Sequence, residues 1–466
     1  MLTFVIANAA DLTAGPSSPQ LRELRRDALD LLDIALRAVD AGKRLEAHLR
    51  RTDEILEAAG LHWDLAHVDH VRLLAVGKAS LPMTEAALRH VDPTESLVVT
   101  HTEEDLAAPN VSVVQASHPI PSARSLEAGK EALAMAERCG PHDLFLVLLS
   151  GGGSALLEHS ELPLEDLQET GRLLLRSGVD VAAMNVVRKH LSLVKGGWLG
   201  KAATRRGGEA ATLALSDVVG DDPSGISSGP TIPDSSTFGD AHRALQEGGL
   251  WDRVPPGVKD WLQYGIRGEV PETPKPGDPD LRRSAFRIIG SIADACRAAV
   301  EEGQRRGYAT YTYGTQVEGE SRAVARDLLS VAVSVQEEDT PVAAPALIVG
   351  GGETTFRVLG PGTGGRNLEL VLAAVRGLEG RPMVFLSCDT DGRDGETEVA
   401  GAIADAESLS RALRMRLEPE AFQAESDSYG FFARLEDTIR TESTRTNVMD
   451  LQLVLVGSPP EATLTI

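Results

Sequence analysis

Residues 144–154 read LFLVLLSGGGS, an apolar run that leads into a serine and three glycines. A strand that is apolar at every position is typical of a parallel sheet covered by helices on both faces. Comparable apolar runs lie at 71–76, 96–100, 111–115 and 211–215, and a helical pattern at 125–138 separates two of them. This alternation predicts an α/β fold with a mostly parallel sheet in the first half of the chain.

The second half of the chain shows the same alternation. Helices are predicted at 291–307, 320–336 and 367–378, and strands at 309–313, 346–349, 355–359, 383–387 and 452–456. A stretch rich in proline, glycine and charge at 252–283 is typical of a connection between domains. Because 466 residues exceed what one hydrophobic core usually supports, we expect domains at 20–255 and 284–466 with a linker at 256–283. A helical pattern at 21–56 precedes the first strand.

Charge and cysteine content restrict the partners and the compartment. A formal net charge of -23 opposes non-specific attraction to nucleic acid and to anionic membranes. Three widely spaced cysteines, Cys139, Cys296 and Cys388, favour a reducing environment. No apolar run reaches the roughly 18 residues of a membrane span. The sequence therefore predicts a cytoplasmic protein with small-molecule substrates and with neither nucleic acid nor membrane as a partner.

Four glycine-rich turns, at 77–79, 150–154, 350–355 and 360–366, follow predicted strands. Glycine lets backbone N–H groups approach an anion, and a helix N-terminus after the turn adds positive potential. One such turn is more often plain turn chemistry, but four together predict the binding of a polyanion such as a nucleotide phosphate. None matches a P-loop, because Ala79 stands where a P-loop has Ser or Thr.

Two alternatives remain open at this stage. Gly360, Gly362 and Gly365 satisfy a dinucleotide fingerprint, which would suit an NAD(P)H-dependent reductase. Carboxylates follow predicted strands at Asp217, Asp221 and Asp222 and again at 389–394. They are equally compatible with Mg²⁺ ligands and with solvated turn residues. His118, in the stiff segment SHPIP, is more typical of a structural role than of catalysis.

A series of motifs resembles the glycerate 2-kinase family, whose C-terminal half is called the MOFRL domain. The blocks run in order through VGKAS, SHPIP, LLSGGGSALLE, NVVRKHLSLVKGG, LSDVVGDDPSGISSGPTIPD, GGETTFRV, GGRNLEL, DTDGRDGETEVAGAI and TNVMDL, which begin at Val76, Ser117, Leu148, Asn185, Leu215, Gly351, Gly364, Asp389 and Thr446. The resemblance implies an N-terminal Rossmann-like domain, a smaller C-terminal α/β domain and an active site in the cleft between them. It also implies transfer of the ATP γ-phosphate to the 2-hydroxyl of D-glycerate with a divalent cation such as Mg²⁺, by a monomer or homodimer.

The same resemblance implies roles for individual residues. Lys78, Asp217, Asp221 and Arg366 are the expected catalytic residues, and Asp217 and Asp221 are also candidate metal ligands. Expected substrate- or nucleotide-binding residues are Gly77, Ser150, Gly151, Gly152, Gly153, Ser154, Asn185, Arg188, Lys189, Glu353, Asn367, Asp389 and Asp391. One departure concerns 441–447, which reads TESTRTN where the family usually has TGPTGTN. Some relatives carry the name hydroxypyruvate reductase, so that activity is the main alternative; a catalytically silent sensor of glycerate or nucleotide is a second.

Overall fold

The computed structural model describes residues 6–104 and 106–458. These residues form two compact units. The central unit is the continuous segment Ala41–Gly290, and the terminal unit combines the chain up to Asp40 with the chain from Ser291 onward. The chain therefore leaves the terminal unit once and returns to it once.

The strands occupy short segments along the whole chain. They are β1 (Leu49–Thr52), β2 (Ile55–Ala58), β3 (Leu61–Asp64), β4 (His70–Val76), β5 (Glu95–Thr100), β6 (Val111–Gln115), β7 (Asp143–Leu149), β8 (Glu209–Leu215), β9 (Ser284–Gly290), β10 (Ala309–Val317), β11 (Ala346–Gly352), β12 (Met383–Asp389), β13 (Gly401–Asp405), β14 (Thr438–Ile439) and β15 (Asp450–Val456).

The helices lie between these strands. They are α1 (Ala9–Ala14), α2 (Pro19–Ala38), α3 (Ala41–His48), α4 (Ser80–Ala87), α5 (Ala123–Glu137), α6 (Gly153–Leu156), α7 (Leu164–Ser177), α8 (Val181–His190), α9 (Trp198–Thr204), α10 (Phe238–Glu247), α11 (Pro256–Ile266), α12 (Ile292–Arg305), α13 (Ser321–Glu338), α14 (Arg366–Ala374), α15 (Ser408–Arg414), α16 (Pro419–Glu425) and α17 (Ser428–Leu435). Short 3-10 turns occupy Leu65–His67, Ile226–Ser228, Asp280–Arg283 and Val375–Leu378. None of the described helices is long and apolar enough to cross a membrane.

The main sheet of the central unit has six strands in the order β6-β5-β4-β7-β8-β9. Every neighbouring pair is parallel, which confirms the expectation drawn from the apolar runs. β7 is buried at all seven positions because both faces of the sheet are covered. In this doubly wound order the direction of winding reverses between β4 and β7, and ligands bind at the carboxyl ends of the strands at such a point.

The terminal unit contains a mixed sheet in the order β10-β11-β15-β12-β13-β14. β10 and β11 are parallel, and the other pairs are antiparallel. α13 and α14 share a buried cluster with Ile348 of β11 and Phe385 of β12. On the opposite face, Gly351 lies against Ile292 and Cys296 of α12, and α2 packs on α12.

The unit boundaries differ from the expected domain limits. The stretch 256–283 is not a bare linker, because Pro256 starts α11 and the helix buries Val258 and Leu262 on one face. β9 then completes the central sheet by pairing with β8, so that unit ends at Gly290 rather than before 284. At the other end, α2 falls outside the central unit because its apolar face packs in the terminal one.

Two local expectations were wrong. The helical pattern at 21–56 is interrupted, because α3 ends at His48 and β1, β2 and β3 form a small antiparallel sheet after it. Turn positions with positive φ, Asp53 and Ala59, separate these strands. The segment 355–359 is not a strand: Thr355 makes a single bridge to Glu320, Phe356 is half-buried, and 357–359 are exposed.

Candidate active site

Two turns interlock at the winding reversal of the central sheet. After β4, the Lys78 N–H donates to the Gly151 carbonyl over 2.9 Å, and the Ala79 N–H donates to Ser150 Oγ over 3.0 Å. Gly77 has φ +126, and a Cβ there would lie 2.7 Å from the Ser150 carbonyl carbon. Only glycine fits such a conformation and approach. The expected residues Gly77, Lys78 and Ser150 are thus brought together at the place where this topology binds ligands.

Two serines form hydrogen bonds with the glycine-rich turn after β7. Ser227 Oγ donates to the Ser150 carbonyl over 3.2 Å, and Ser228 Oγ lies 2.8 Å from Ser154 Oγ. Both serines have left-handed backbones, with φ of 50 for Ser227 and 59 for Ser228. Non-glycine residues rarely adopt this conformation, and it tends to be kept where a site requires it. Sequence reasoning quoted this segment as a family block but assigned no role to either serine.

Asp217 is the carboxylate associated with this turn. It is partly buried just after β8, and its carboxylate accepts a hydrogen bond from the Gly152 N–H. Burial raises the pKa of the Asp217 carboxyl above its ordinary value, while the Lys78 ammonium and the Gly152 N–H oppose that rise. An aspartate with a raised pKa beside a lysine suits a role in proton transfer.

The three expected residues of α8 do not act as one group. Asn185 accepts a hydrogen bond from Ser228 over 3.0 Å, which joins it to the glycine-rich turn through Ser154. The Lys189 ammonium lies on another side of the helix, 3.3 Å from Asp234 Oδ1. Arg188 has no ion pair within 4.0 Å among the described residues. It lines a small cavity with Ser154 and Glu158.

In the terminal unit, Arg366 is surrounded by carboxylates. Its guanidinium donates to both Asp450 oxygens over 2.6 and 2.9 Å and to Asp389 over 2.7 Å. Glu353 Oε1 lies 3.3 Å from its Nη1. The Arg366 side chain keeps 21% exposure, so one edge of this cation remains accessible. Asp450, at the start of β15, is a site residue that sequence reasoning quoted within TNVMDL but did not single out.

The N-terminus of α14 is capped by Asp394. Its carboxylate accepts from the backbone N–H groups of Asn367 and Leu368 over 3.1 and 2.7 Å. The Asn367 amide also donates to Asp450 over 2.8 Å. This cap occupies the helix end that the glycine-rich turn was expected to offer to an anion.

The acidic cluster around Arg366 is short of positive charge. Burial and the neighbouring Asp391 and Asp450 carboxylates raise the pKa of Asp389 well above its ordinary value, although Arg366 opposes the rise. Burial also raises the pKa of Asp394 to about 6. The Asp391 carboxylate accepts from the Arg393 N–H over 2.9 Å, as a turn aspartate does.

Two further expectations can be compared with the structure. No group of three or more potential metal ligands is present among the described residues. Asp221 nevertheless has a buried Oδ1 that meets no hydrogen-bond donor within 6–104 and 106–458, so it fits a cation that also takes oxygen from a substrate. The dinucleotide fingerprint at Gly360 lacks its context, because the described residues directly before it, 356–359, form no strand.

The backbone conformation accounts for one of the two departures from the family pattern at 441–447. Arg445 adopts φ 56, in the left-handed region that glycine tolerates best. The family glycine at this position therefore matches the backbone seen here. Glu442 has no positive φ, and nothing in the structure explains a preference for glycine there.

Two family models match this chain. Residues 27–263 match a domain of unknown function, DUF4147, and residues 346–450 match the MOFRL family. A glycerate 2-kinase of Pyrococcus horikoshii is 34% identical to this protein, over 94% of this chain and 98% of the relative. The chain belongs to the glycerate 2-kinase family.

Other members of the glycerate 2-kinase family are equally similar. The D-glycerate 2-kinase of Thermotoga maritima is 34% identical over 84% of this chain and 91% of its own. A crystal structure of glycerate kinase from that organism has 31% identity, covers 93% of this chain and 99% of its own, and superposes with a TM-score of 0.79. A relative from Agrobacterium vitis, 36% identical over 83% of this chain and 87% of its own, carries the name hydroxypyruvate reductase as an unproven assignment.

Proposed function

We propose that this protein is a glycerate 2-kinase, which transfers the γ-phosphate of ATP to the 2-hydroxyl of D-glycerate and yields 2-phosphoglycerate and ADP. The observation that carries the proposal is that Lys78 and Asp217 both contact a glycine-rich turn at the winding reversal of a parallel sheet. The names of the Pyrococcus and Thermotoga relatives supply the acceptor.

The first task of the site is to hold a moving phosphoryl group. The glycines of the turn 150–154 let its backbone approach a phosphoryl group closely. Gly77 in turn lets Lys78 approach this turn. In phosphoryl transfer most of the rate comes from positioning and from neutralising charge on the equatorial oxygens. Lys78 is the cation that we assign to this neutralisation.

The second task is to remove a proton from the acceptor. We assign Asp217 as the general base, which takes the proton of the 2-hydroxyl as that oxygen attacks the γ-phosphorus. The β-γ bridging oxygen leaves with ADP. Asp217 must be ionised to act, so activity falls as the pH falls through its raised pKa.

Asp221, with Asp217 as a second candidate ligand, would hold the divalent cation, since the buried Oδ1 of Asp221 has no donor among the described residues. When bound, Mg²⁺ would neutralise charge on the β- and γ-phosphates.

Arg366 is the candidate cation of the terminal unit. We propose that its exposed edge binds an anionic group, while Asp450 and Asp389 fix its orientation. Glu353, Asn367 and Asp391 then act only through this cluster. Lys189, paired with Asp234, serves to position α8.

The deciding experiment incubates purified protein with D-glycerate, ATP and MgCl₂ and measures ADP release, the product isomer and, with hydroxypyruvate, loss of NADH. We expect ADP and 2-phosphoglycerate and no NADH loss. Lys78→Met should lower kcat about 10²-fold or more with folding intact, as expected when a preorganised cation is removed. The acid limb of the pH–rate profile of this variant should also move to higher pH, because Lys78 no longer lowers the pKa of Asp217. Lys78→Arg should recover only part of the rate.

Lys130→Met is the matched control, because Lys130 is an exposed cation on α5. It should retain wild-type kinetics. ADP formation that survives Lys78→Met undiminished would rule out the mechanism, and NADH oxidation without ADP release would identify a reductase instead.

A further inference from the structure

We propose that Arg188 binds the carboxylate of the phosphoryl acceptor and thereby makes the enzyme select small 2-hydroxy acids over uncharged polyols. This inference rests on the proposed kinase activity but goes further, because neither the fold nor the relatives' names assign a group to the acid end of the substrate.

The direction of α8 brings Arg188 toward the glycine-rich turn. Asn185 and Arg188 are three residues apart and therefore share a face of the helix. Asn185 is bound to Ser228, and Ser228 to Ser154 of the glycine-rich turn. Arg188 lines the same small cavity as Ser154. The guanidinium thus lies on the side of the helix that faces the turn, whereas the neighbouring Lys189 is committed to Asp234.

The buried charges around Arg188 do not balance. Near Arg188 the buried groups are Lys195 and Glu158, which form an ion pair with each other. The Lys195 ammonium also donates to the Leu157 carbonyl over 3.1 Å. The negative charge of Glu158 is therefore shared between two positive charges, those of Lys195 and Arg188. Burial lowers the pKa of both Arg188 and Lys195. For each residue, Glu158 is the one group that opposes this decrease. An additional anion would compensate this excess.

The cavity at Arg188 has room for a small polar group. Arg188 shares it with Ser154, Glu158 and Pro119, and its volume is about 30 Å³. A single water molecule needs roughly 10–15 Å³ by this measure. A carboxylate group can therefore lie beside the Arg188 guanidinium.

The chemistry of glycerate suits this placement. Its carboxylate carbon is bonded directly to the carbon that bears the 2-hydroxyl, so fixing the carboxylate also fixes the attacking oxygen. A guanidinium can hold both carboxylate oxygens with two parallel N–H bonds, which a single ammonium cannot do. Arg188 would therefore orient the acceptor as well as bind it.

The test compares wild type, Arg188→Met and Arg188→Lys with D-glycerate and with glycerol as acceptors. Loss of a hydrogen bond to a charged group should raise KM for D-glycerate about 10- to 150-fold in Arg188→Met. KM for ATP should stay within about twofold, and the slow rate with glycerol should be unchanged, so the preference for the acid collapses. Arg188→Lys should fall between the two. Arg176→Met, at an exposed arginine of α7, is the matched control and should behave as wild type.

Thermal unfolding separates this role from a structural one. Because Arg188 is a desolvated and poorly compensated cation, Arg188→Met should unfold at the wild-type temperature or above it. D-glycerate alone should raise the unfolding temperature of wild type but not of Arg188→Met. A lower unfolding temperature with unchanged KM for D-glycerate would identify a structural arginine, and a rise in KM for ATP alone would assign Arg188 to the nucleotide. Either result overturns the inference. Absence of ADP formation by wild type would instead refute the kinase proposal itself.

Discussion

Replacing Gly153 by alanine tests whether the glycine-rich turn must sit directly on Ser227. A Cβ at Gly153 would lie 2.7 Å from Ser227 Cβ and closer still to its Oγ, whereas ordinary contacts begin near 3.4 Å. Either the turn or Ser227 must therefore move by at least about 0.7 Å. Ser227 cannot yield easily, because its left-handed backbone is held by the hydrogen bond to Ser150.

The expected magnitude follows from that displacement. A misplacement of about 1 Å can cost about 10²-fold in rate, and overpacking costs about 1–3 kcal/mol of stability. Gly153→Ala should therefore lower kcat/KM for ADP release about 10²-fold and lower the unfolding temperature. The double variant Gly153→Ala with Ser227→Gly removes the obstructing side chain and places glycine at a φ of 50, which glycine accepts. It should regain most of the lost activity.

Gly140→Ala is the control, because the nearest atom to its Cβ would be 3.9 Å away. It should leave rate and stability near wild type. The reasoning fails if Gly153→Ala has full activity, or if the double variant is no better than Gly153→Ala alone.

Two further predictions concern stability in the terminal unit. Arg25 is fully buried against Asp405 and Asp437, so Arg25→Met should cost about 3–5 kcal/mol in urea unfolding, while the exposed Arg26→Met should cost less than about 0.5 kcal/mol; equal losses would contradict this reading. Asp394 keeps its proton up to a pH of about 6 in the folded protein but only to about 3.8 in the unfolded chain. Between these values the native state binds more protons, so the contribution of Asp394 to the free energy of unfolding falls as the pH rises. The stability of wild type relative to Asp394→Asn should therefore fall by up to about 3 kcal/mol between pH 4 and pH 7, and a constant difference across that range would contradict the assignment.

Sequence reasoning located the central sheet well because its signal is local. A fully buried parallel strand such as β7 must be apolar at every position, and that pattern can be read without knowing its neighbours. The turns at Gly77 and Ser150 were found for the same reason, since a tight approach to a ligand calls for glycine within a few residues of a strand end.

Other features depend on contacts between distant parts of the chain. Asp450 matters only because β15 lies between β11 and β12 and brings it to Arg366, 84 residues away. The role of Ser227 depends on a left-handed backbone, a conformation that a serine in the sequence does not predict. The segment 355–359 has the apolar content of a strand, but within the described residues it forms only one β-bridge, at Thr355.

The discontinuous terminal unit has a consequence for synthesis on the ribosome. Arg25 emerges early, yet its partners Asp405 and Asp437 follow some 400 residues later. Translation at about 5–20 residues per second would leave α2 without these partners for tens of seconds, and part of that interval follows completion of the central unit. During that interval an amphipathic helix with a long apolar face would be exposed on the nascent chain. We therefore expect chaperones to bind α2 during synthesis, and the central unit, a continuous segment, is completed before the terminal one.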